Sequence, residues 1–149
     1  MYQRIFVAID NSSTAQKALD EAIELAVKLG AELCIATALD EAPITQHSMG
    51  LGTHLDLDKI KQDMRDTGNA LLDKAAAQAK AAGCDPYRTL LESDEKRLSE
   101  MLIQSAAQWN ADLIVMGTHG RRGFERLLVG SVAEHMIRTA TTTLLLVRK

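Results

Sequence analysis

Residues 5–9 read Ile5-Phe6-Val7-Ala8-Ile9, an unbroken apolar segment that ends at the polar stretch Asp10-Asn11-Ser12-Ser13. A short apolar run of this kind, bounded by residues that favour turns and helix N-caps, is typical of a strand that is buried on both faces. Such strands are characteristic of parallel sheets, which carry helices on both sides. The opening of the chain therefore predicts the first strand of a parallel sheet.

Buried strands and amphipathic helices alternate along the rest of the chain. We predict strands at residues 5–9, 33–39, 87–92, 113–116 and 143–147. The apolar stripes at three-and-four spacing predict a first helix that ends at Gly30 and a second over residues 57–82. Two more helices are predicted, one carrying Leu98, Met101 and Leu102 and the last carrying Val132, Ala133 and Met136. Because parallel strands are joined by right-handed crossovers, we expect an α/β fold, a doubly wound sheet of five parallel strands in the order 3-2-1-4-5 with helices on both faces.

Local signals mark the ends of these elements. Residues 12–14 offer N-caps for the first helix, Gly30 can end it, and Asp94 is predicted to cap the third helix. Gly68 is expected to weaken the second helix by about 1 kcal/mol relative to alanine. The segment from Asp40 to Asp56 has no periodicity and is predicted to be a mobile loop.

The composition restricts the class of protein. The chain has 149 residues, of which 46% are hydrophobic and 25% charged, which suits a single domain over residues 1–149. No apolar run approaches the roughly 18 residues of a membrane span, and Asp10 comes too early for a signal peptide. Cys34 and Cys84 lie far apart without a Cys-x-x-Cys spacing, so we expect reduced thiols in a cytoplasmic protein without membrane insertion.

The charge is unevenly distributed along the chain. Residues 1–116 carry 11 basic and 18 acidic side chains, a balance of −7, whereas residues 117–149 carry six basic and two acidic ones, a balance of +4. An acidic chain with 3% aromatic residues is not expected to bind nucleic acid. The basic segment suits a small anion, and the alternative is ordinary solvated surface charge.

The segment from Gly117 to Ser131 contains the candidate chemistry. Glycines 117, 120 and 123 allow a positive φ and a close approach of backbone N–H groups to a ligand. Gly130-Ser131 is predicted to open a helix whose N-terminus favours an anion, and one or more of Arg121, Arg122 and Arg126 can add positive charge. The segment therefore predicts a phosphate site, although the first strand lacks a Gly-x-Gly-x-x-Gly sequence and there is no P-loop lysine. The alternative is that the glycines only turn the chain and Ser131 only caps the helix.

The spacing Gly117-x2-Gly120-x9-Gly130-Ser131 resembles the nucleotide-binding signature of the universal stress protein family, in its ATP-binding branch. The similarity extends to the opening Ile5–Asp10, to Ala111–Gly117 and to the end Leu144–Val147. The resemblance implies a Rossmann-like fold with a cleft for an adenine nucleotide, and homodimers that pair through the last strand. Family members often have a proline before that strand, where this chain has Thr141-Thr142-Thr143.

The resemblance also implies a set of ligand contacts. Asp10 would lie near the adenine or ribose, the backbone at Ala38 would contact the adenine, and the glycines with the Ser131 hydroxyl would hold the phosphates. The expected ligand is ATP or AMP, with Mg²⁺ or Mn²⁺ bridging the phosphates. The nucleotide-binding residues expected on this basis are Ala8, Ile9, Asp10, Ala38, Met116, Gly117, His119, Gly120, Arg121, Gly130, Ser131 and Val132.

Other interpretations of these residues stay open. Asp10 can instead cap the first helix, and His119 can act in proton transfer or be a solvated loop residue. His47, His54, Asp56 and Asp58 suggest a metal hypothesis, although their spacing matches no compact zinc pattern. No nucleophile, base and orienting group are placed together by the sequence. We expect a regulatory stress-response protein with an unidentified protein partner; the alternatives are a slow ATPase or nucleotidyl-transfer enzyme and a nucleotide-free dimeric interaction module.

Overall fold

The computed structural model describes residues 1–39, 56–92, 96–119 and 129–149. Strands and helices alternate along these ranges, each strand leading into a helix until the chain ends with a strand. The elements are β1 Arg4–Ala8, α1 Ser13–Leu29, β2 Glu32–Ala38, α2 Leu57–Ala81, β3 Tyr87–Leu91, α3 Leu98–Gln108, β4 Leu113–Gly117, α4 Ser131–Thr139 and β5 Thr143–Val147. The predicted strands and helices are all present, with ends that differ by a residue or a few.

The strands form one parallel sheet in the order β3-β2-β1-β4-β5. The predicted fold class and strand order are therefore confirmed. At the carboxyl end of β1, Ala8 is paired with Ala36 of β2 on one side and with Met116 of β4 on the other. The chain leaves β1 towards β2 and leaves β4 towards β5, so the winding reverses between these two central strands. Ligands of doubly wound sheets bind at such a reversal.

The core has two layers because successive residues of each strand face opposite sides of the sheet. Ile5, Val7 and Ile35 pack on the side of α1 and α2, whereas Phe6 and Ile114 pack on the side of α3 and α4. All these side chains are at most 1% exposed. Burying a side chain of this size stabilises the fold by about 1.5–3 kcal/mol. Burial on both sides explains why β1 is apolar at every position.

The helix ends follow local chemistry, with one exception to the predictions. Ser12 caps α1 by accepting the Ala15 N–H at 3.2 Å, and Gly30 ends the helix with a φ of 63°. The prediction that Asp94 caps the third helix is wrong. An N-cap must directly precede the first helical residue, and the residue before Leu98 is Arg97, which makes no side-chain capping bond. Asp94 itself lies outside the described residues, as does most of the predicted loop over residues 40–56. No helix within the described ranges is both long and apolar enough to cross a membrane.

Candidate functional site

The carboxyl ends of β1 and β4 lie side by side, and they bring the main predicted site residues together. Ala8, Ile9 and Asp10 leave β1 where Met116 and Gly117 end β4. Ala38, which was expected to contact adenine, ends the neighbouring strand β2 and pairs with Leu91 of β3. The edge of the sheet therefore contains the expected residues from three adjacent strands.

The turn between β1 and α1 is held by the Asp10 side chain. Asp10 Oδ1 accepts the backbone N–H of Ser12 at 2.8 Å, while the Ser12 hydroxyl caps the helix. The alternative that Asp10 itself caps α1 is therefore wrong, since the N-cap is Ser12. This turn places a partly buried carboxylate at the central edge of the sheet, in the position expected for a ligand contact.

The first turn of α1 also contacts the chain that leaves β4. The Thr14 hydroxyl donates to the backbone carbonyl of His119, and Ser12 Oγ lies 3.4 Å from the same oxygen. Thr14 is only 2% exposed. On its other side, the His119 ring is hydrogen-bonded through Nδ1 to the Thr118 hydroxyl at 3.0 Å. The Thr14 hydroxyl thus holds the backbone of His119, and the Thr118 hydroxyl holds its ring.

Gly117 has a packing role that the sequence did not predict. The expectation of a positive φ at this glycine is wrong, because among the described residues the glycines with a positive φ are Gly30 and Gly83. A Cβ at Gly117 would instead lie 2.8–2.9 Å from atoms of Thr14. Glycine is needed here because β4 and the first turn of α1 approach too closely for any side chain.

The N-terminus of α4 has the form expected of an anion site. Gly130 is the N-cap and has no side chain with which to cap the helix. Its N–H donates to the Thr118 carbonyl at 2.6 Å, and the Thr118 N–H donates to the Val147 carbonyl at 2.9 Å. Ser131 is the first helical residue and is exposed, so the alternative that Ser131 caps the helix is wrong. An N-terminus without a side-chain cap keeps N–H groups and a positive dipole for an anion. Val132, the next residue, is partly buried against the core.

A cavity of about 340 Å³ adjoins this edge between α1 and α2. Its polar wall includes Asp10, Ser12, Gln16, Lys74 and Gln78, and its apolar floor includes Ile9 and Leu19. Gln16 donates to Gln78 at 2.9 Å, which joins the two helices at the wall of the cavity. The cavity extends the predicted site on the side of Asp10 that faces α2.

Part of the predicted site lies outside the described residues. Gly120 and Arg121 of the signature are among residues 120–128, as are Gly123, Arg122 and Arg126. His47 and His54 of the metal hypothesis are also outside, whereas Asp56 caps α2 by accepting the Lys59 N–H at 3.1 Å. Within the ranges that the structure describes, no three or more His, Cys, Asp or Glu side chains are grouped to hold a metal ion.

The two cysteines and the Ser99–His135 pair have structural roles. Desolvation raises the pKa of the Cys34 thiol to about 11 and also raises that of Cys84, so both thiols stay protonated at neutral pH. Both cysteines are free, which agrees with the prediction of reduced thiols. His135 Nδ1 bonds the buried Ser99 hydroxyl at 2.6 Å and joins α4 to α3. With Ser99 only 3% exposed, this pair is not placed to attack a substrate.

Sequence reasoning missed Thr14 and Thr118. Both are buried, at 2% and 1% exposed, and both form hydrogen bonds around His119. The sequence marked Thr14 only as one of the possible N-caps at residues 12–14, and no pattern in it marks Thr118. Gly117 is the nearest sequence feature, but only the structure shows that this glycine is needed for a close contact with Thr14.

Comparison with known proteins agrees with this architecture. Residues 1–148 match the profile described as the universal stress protein family. A universal stress protein of Methanocaldococcus jannaschii is 31% identical over 149 residues, covering 100% of this chain and 84% of the relative. The crystal structure of a family protein from Burkholderia pseudomallei is 33% identical with a TM-score of 0.77, covering 98% of this chain and 96% of that one.

A further solved structure is described as a universal stress protein in complex with cAMP. It is 28% identical to this chain, with a TM-score of 0.69, and the match covers 98% of this chain and 97% of the other. The profile, the relatives and the solved structures all span nearly the whole chain. This chain belongs to the universal stress protein family.

Proposed function

We propose that this chain is a regulatory stress-response protein that binds an adenine nucleotide, ATP or AMP, at the carboxyl edge of its sheet. The phosphates would be held by the segment from Gly117 to Ser131, and the adenosine would lie along Asp10 and the backbone at Ala38. Ala8, Ile9, Met116, His119 and Val132 would line the same cleft. Gly120 and Arg121 belong to the proposal through the signature alone.

The observation that carries the proposal is the N-terminus of α4 beside the end of β4. Gly130 caps the helix without a side chain, and the first helical residue, Ser131, has an exposed hydroxyl. The Gly130–Thr118 hydrogen bond of 2.6 Å brings this N-terminus to the edge where β1 and β4 end. Helix N-termini of this kind bind phosphate through N–H groups and the helix dipole.

The comparisons add independent support for an adenine nucleotide. The structure described as a complex with cAMP belongs to a protein of the same family and of nearly the same length. The cavity offers a ribose polar partners such as Asp10 and offers a base an apolar floor that includes Ile9.

A divalent cation, Mg²⁺ or Mn²⁺, fits the proposal only as a partner of the phosphates. The described residues do not group enough carboxylates and imidazoles to form a metal site by themselves. Mg²⁺ commonly keeps several waters and uses phosphate oxygens with one or two protein oxygens. Asp10 and the Ser131 hydroxyl are among the oxygen ligands that this edge offers.

We also propose that the protein acts as a homodimer through β5 and that a partner protein responds to its nucleotide state. β5 is an edge strand of the sheet, and Leu144 and Leu146 are only partly buried in the single chain. An edge strand has unpaired N–H and C=O groups that can pair with a second chain. Since Thr118 donates to Val147 at the end of β5, a change at the site would reach this edge directly.

The experiment is to measure the nucleotide content of the purified protein and then to titrate ATP, AMP and cAMP with and without Mg²⁺. We expect copurified adenine nucleotide, or a Kd near the micromolar range, which corresponds to a binding free energy of about −8 kcal/mol. An empty protein that ignores millimolar nucleotide would contradict the proposal and favour the interaction module. Steady release of phosphate at about 1 s⁻¹ or faster would favour the enzyme.

Two variants of α4 test the phosphate assignment. Ser131→Ala removes the exposed hydroxyl at the N-terminus and should weaken ATP binding by about fivefold, as for one neutral hydrogen bond. Thr139→Ala removes a hydroxyl at the other end of the same helix, where it bonds the His135 carbonyl at 2.7 Å. The control variant should bind ATP like the parent. Equal affinities for both variants would place the phosphates elsewhere.

A further inference from the structure

The backbone carbonyl of His119 is bound by a side chain that the signature does not include. The Thr14 hydroxyl donates to it, and Ser12 Oγ lies 3.4 Å from it. Thr14 is 2% exposed, so its hydroxyl is not available to solvent; besides this carbonyl it has the Ser12 hydroxyl within 3.4 Å. The contact joins residues that are 105 positions apart in the chain.

The surrounding contacts leave this short segment little freedom. The Thr118 N–H donates to the Val147 carbonyl at 2.9 Å, and the Thr118 carbonyl accepts the Gly130 N–H at 2.6 Å. Bonds to β5 and α4 thus hold Thr118, while the bond to α1 holds the next residue, His119. Contacts with α1, α4 and β5 therefore determine the direction in which residues 118 and 119 leave β4.

The close contact with Gly117 makes the Thr14 bond possible. Gly117 has no Cβ, so β4 approaches the first turn of α1 to within contact distance of Thr14. At this separation the Thr14 hydroxyl reaches the carbonyl two residues further along. In this arrangement Gly117 contributes to the site through packing, and Thr14 supplies the directional contact.

We propose that Thr14 is a positioning residue of the nucleotide site: its hydrogen bond orients the peptide of His119, which lies in the segment that the proposed function assigns to the phosphates. This inference rests on the proposed function for its ligand. It extends the functional site to the first turn of α1, on the opposite side of the sheet from α4. Thr14 does not need to touch the nucleotide for this role.

The variant that tests it is Thr14→Val, which keeps the shape of the side chain and removes the hydroxyl. Thr14→Ser restores the hydroxyl without the methyl group. Ser99→Ala is the matched control, because it also removes a buried hydroxyl that makes a hydrogen bond, here to His135 between α3 and α4. Circular dichroism and urea unfolding establish that all three variants are folded before binding is compared.

The first readout is the His119 carbonyl itself. His119-Gly120 is the single His-Gly pair in the sequence, so protein labelled with ¹³C-carbonyl histidine and ¹⁵N-glycine gives one carbonyl–amide NMR signal. We expect the carbonyl resonance to move in Thr14→Val, to return towards the parent value in Thr14→Ser, and to be unchanged in Ser99→Ala. An unchanged resonance in Thr14→Val would overturn the inference.

The second readout is the Kd for ATP with Mg²⁺. We expect Thr14→Val to weaken binding about tenfold, Thr14→Ser to recover most of it, and Ser99→Ala to bind like the parent. A moved carbonyl resonance with parental affinity would overturn the positioning role while leaving the proposed function in place. Absence of binding by the parent would overturn the proposed function and with it this role for Thr14, whereas the carbonyl signal would still report the hydrogen bond.

Discussion

Gly117 and Thr14 are in direct contact across the interface between β4 and α1. A Cβ on Gly117 would lie 2.8 Å from Thr14 Oγ1 and 2.9 Å from both the Thr14 carbonyl carbon and its Cβ. One of these atoms belongs to the backbone of the first turn of α1, so a side-chain rotation cannot relieve the overlap. The contact therefore determines how closely the helix and the central strand approach.

We expect Gly117→Ala to lower the free energy of unfolding by about 2 kcal/mol, because an added methyl group would force α1 away from the sheet. The double variant Thr14→Ala/Gly117→Ala should recover little, since alanine keeps the Cβ and the carbonyl carbon that cause the overlap. Urea unfolding of the parent, both single variants and the double variant measures this. Parental stability in Gly117→Ala would contradict the packing role of Gly117.

Ser12→Ala should lower the free energy of unfolding by about 1 kcal/mol, because the Ala15 N–H loses the side-chain oxygen that caps α1. Ser12→Asp should keep most of that stability, since its carboxylate can accept the same N–H and interacts favourably with the helix dipole. Ser13→Ala is the neighbouring control; Ser13 is exposed, and its variant should stay within about 0.5 kcal/mol of the parent. Equal losses at the two serines in urea unfolding would contradict the assignment of Ser12 as the cap.

Gly68→Ala should change the stability little, because two effects oppose each other. Alanine favours a helix by about 1 kcal/mol over glycine, but its Cβ would lie 2.7 Å from Leu90 Cδ1. The Leu90 methyl group is the end of a flexible side chain, so shortening it should remove the overlap. We therefore expect Gly68→Ala to stabilise the Leu90→Val variant by about 1 kcal/mol in thermal or urea unfolding. A loss of stability in that background would show that Leu39 or Thr37 also limits the space.

Cys34 should make the stability depend on pH in the alkaline range. Burial raises the pKa of its thiol from 9.0 to about 11 in the folded state. Between these values the folded protein keeps the proton that the unfolded chain releases, so folding is favoured less as the pH rises. The stabilisation is complete below pH 9.0 and is lost as the pH rises through about 11. Urea unfolding from about pH 8 to about pH 10.5 should show a smaller decline in the free energy of unfolding for Cys34→Ala than for the parent. Parallel declines would contradict the assignment of this pH dependence to Cys34.

The sequence predicted elements whose signal is local. The apolar run at residues 5–9 predicted a buried strand, and Ser12 and Gly30 mark the ends of α1 through their own side chain or backbone freedom. The cap of α3 was missed because an aspartate three residues away resembles a cap in the sequence, whereas the chain enters that helix at Arg97. The positive φ expected at Gly117 was wrong for a similar reason, since a glycine in a sequence does not show whether it is needed for a turn or for space.

The sequence by itself determined the order of strands and helices, the two-sided burial of β1 and the residues of the glycine signature. These features depend on the periodicity and type of residues that are close in the sequence, so they can be identified from a short segment alone. Only the tertiary structure decided that Thr14 meets both Gly117 and the His119 carbonyl, and that Gly130 joins Thr118. Such contacts join residues far apart in the chain, and they exist because the packing of α1 and α4 against the sheet brings those backbones within hydrogen-bond distance.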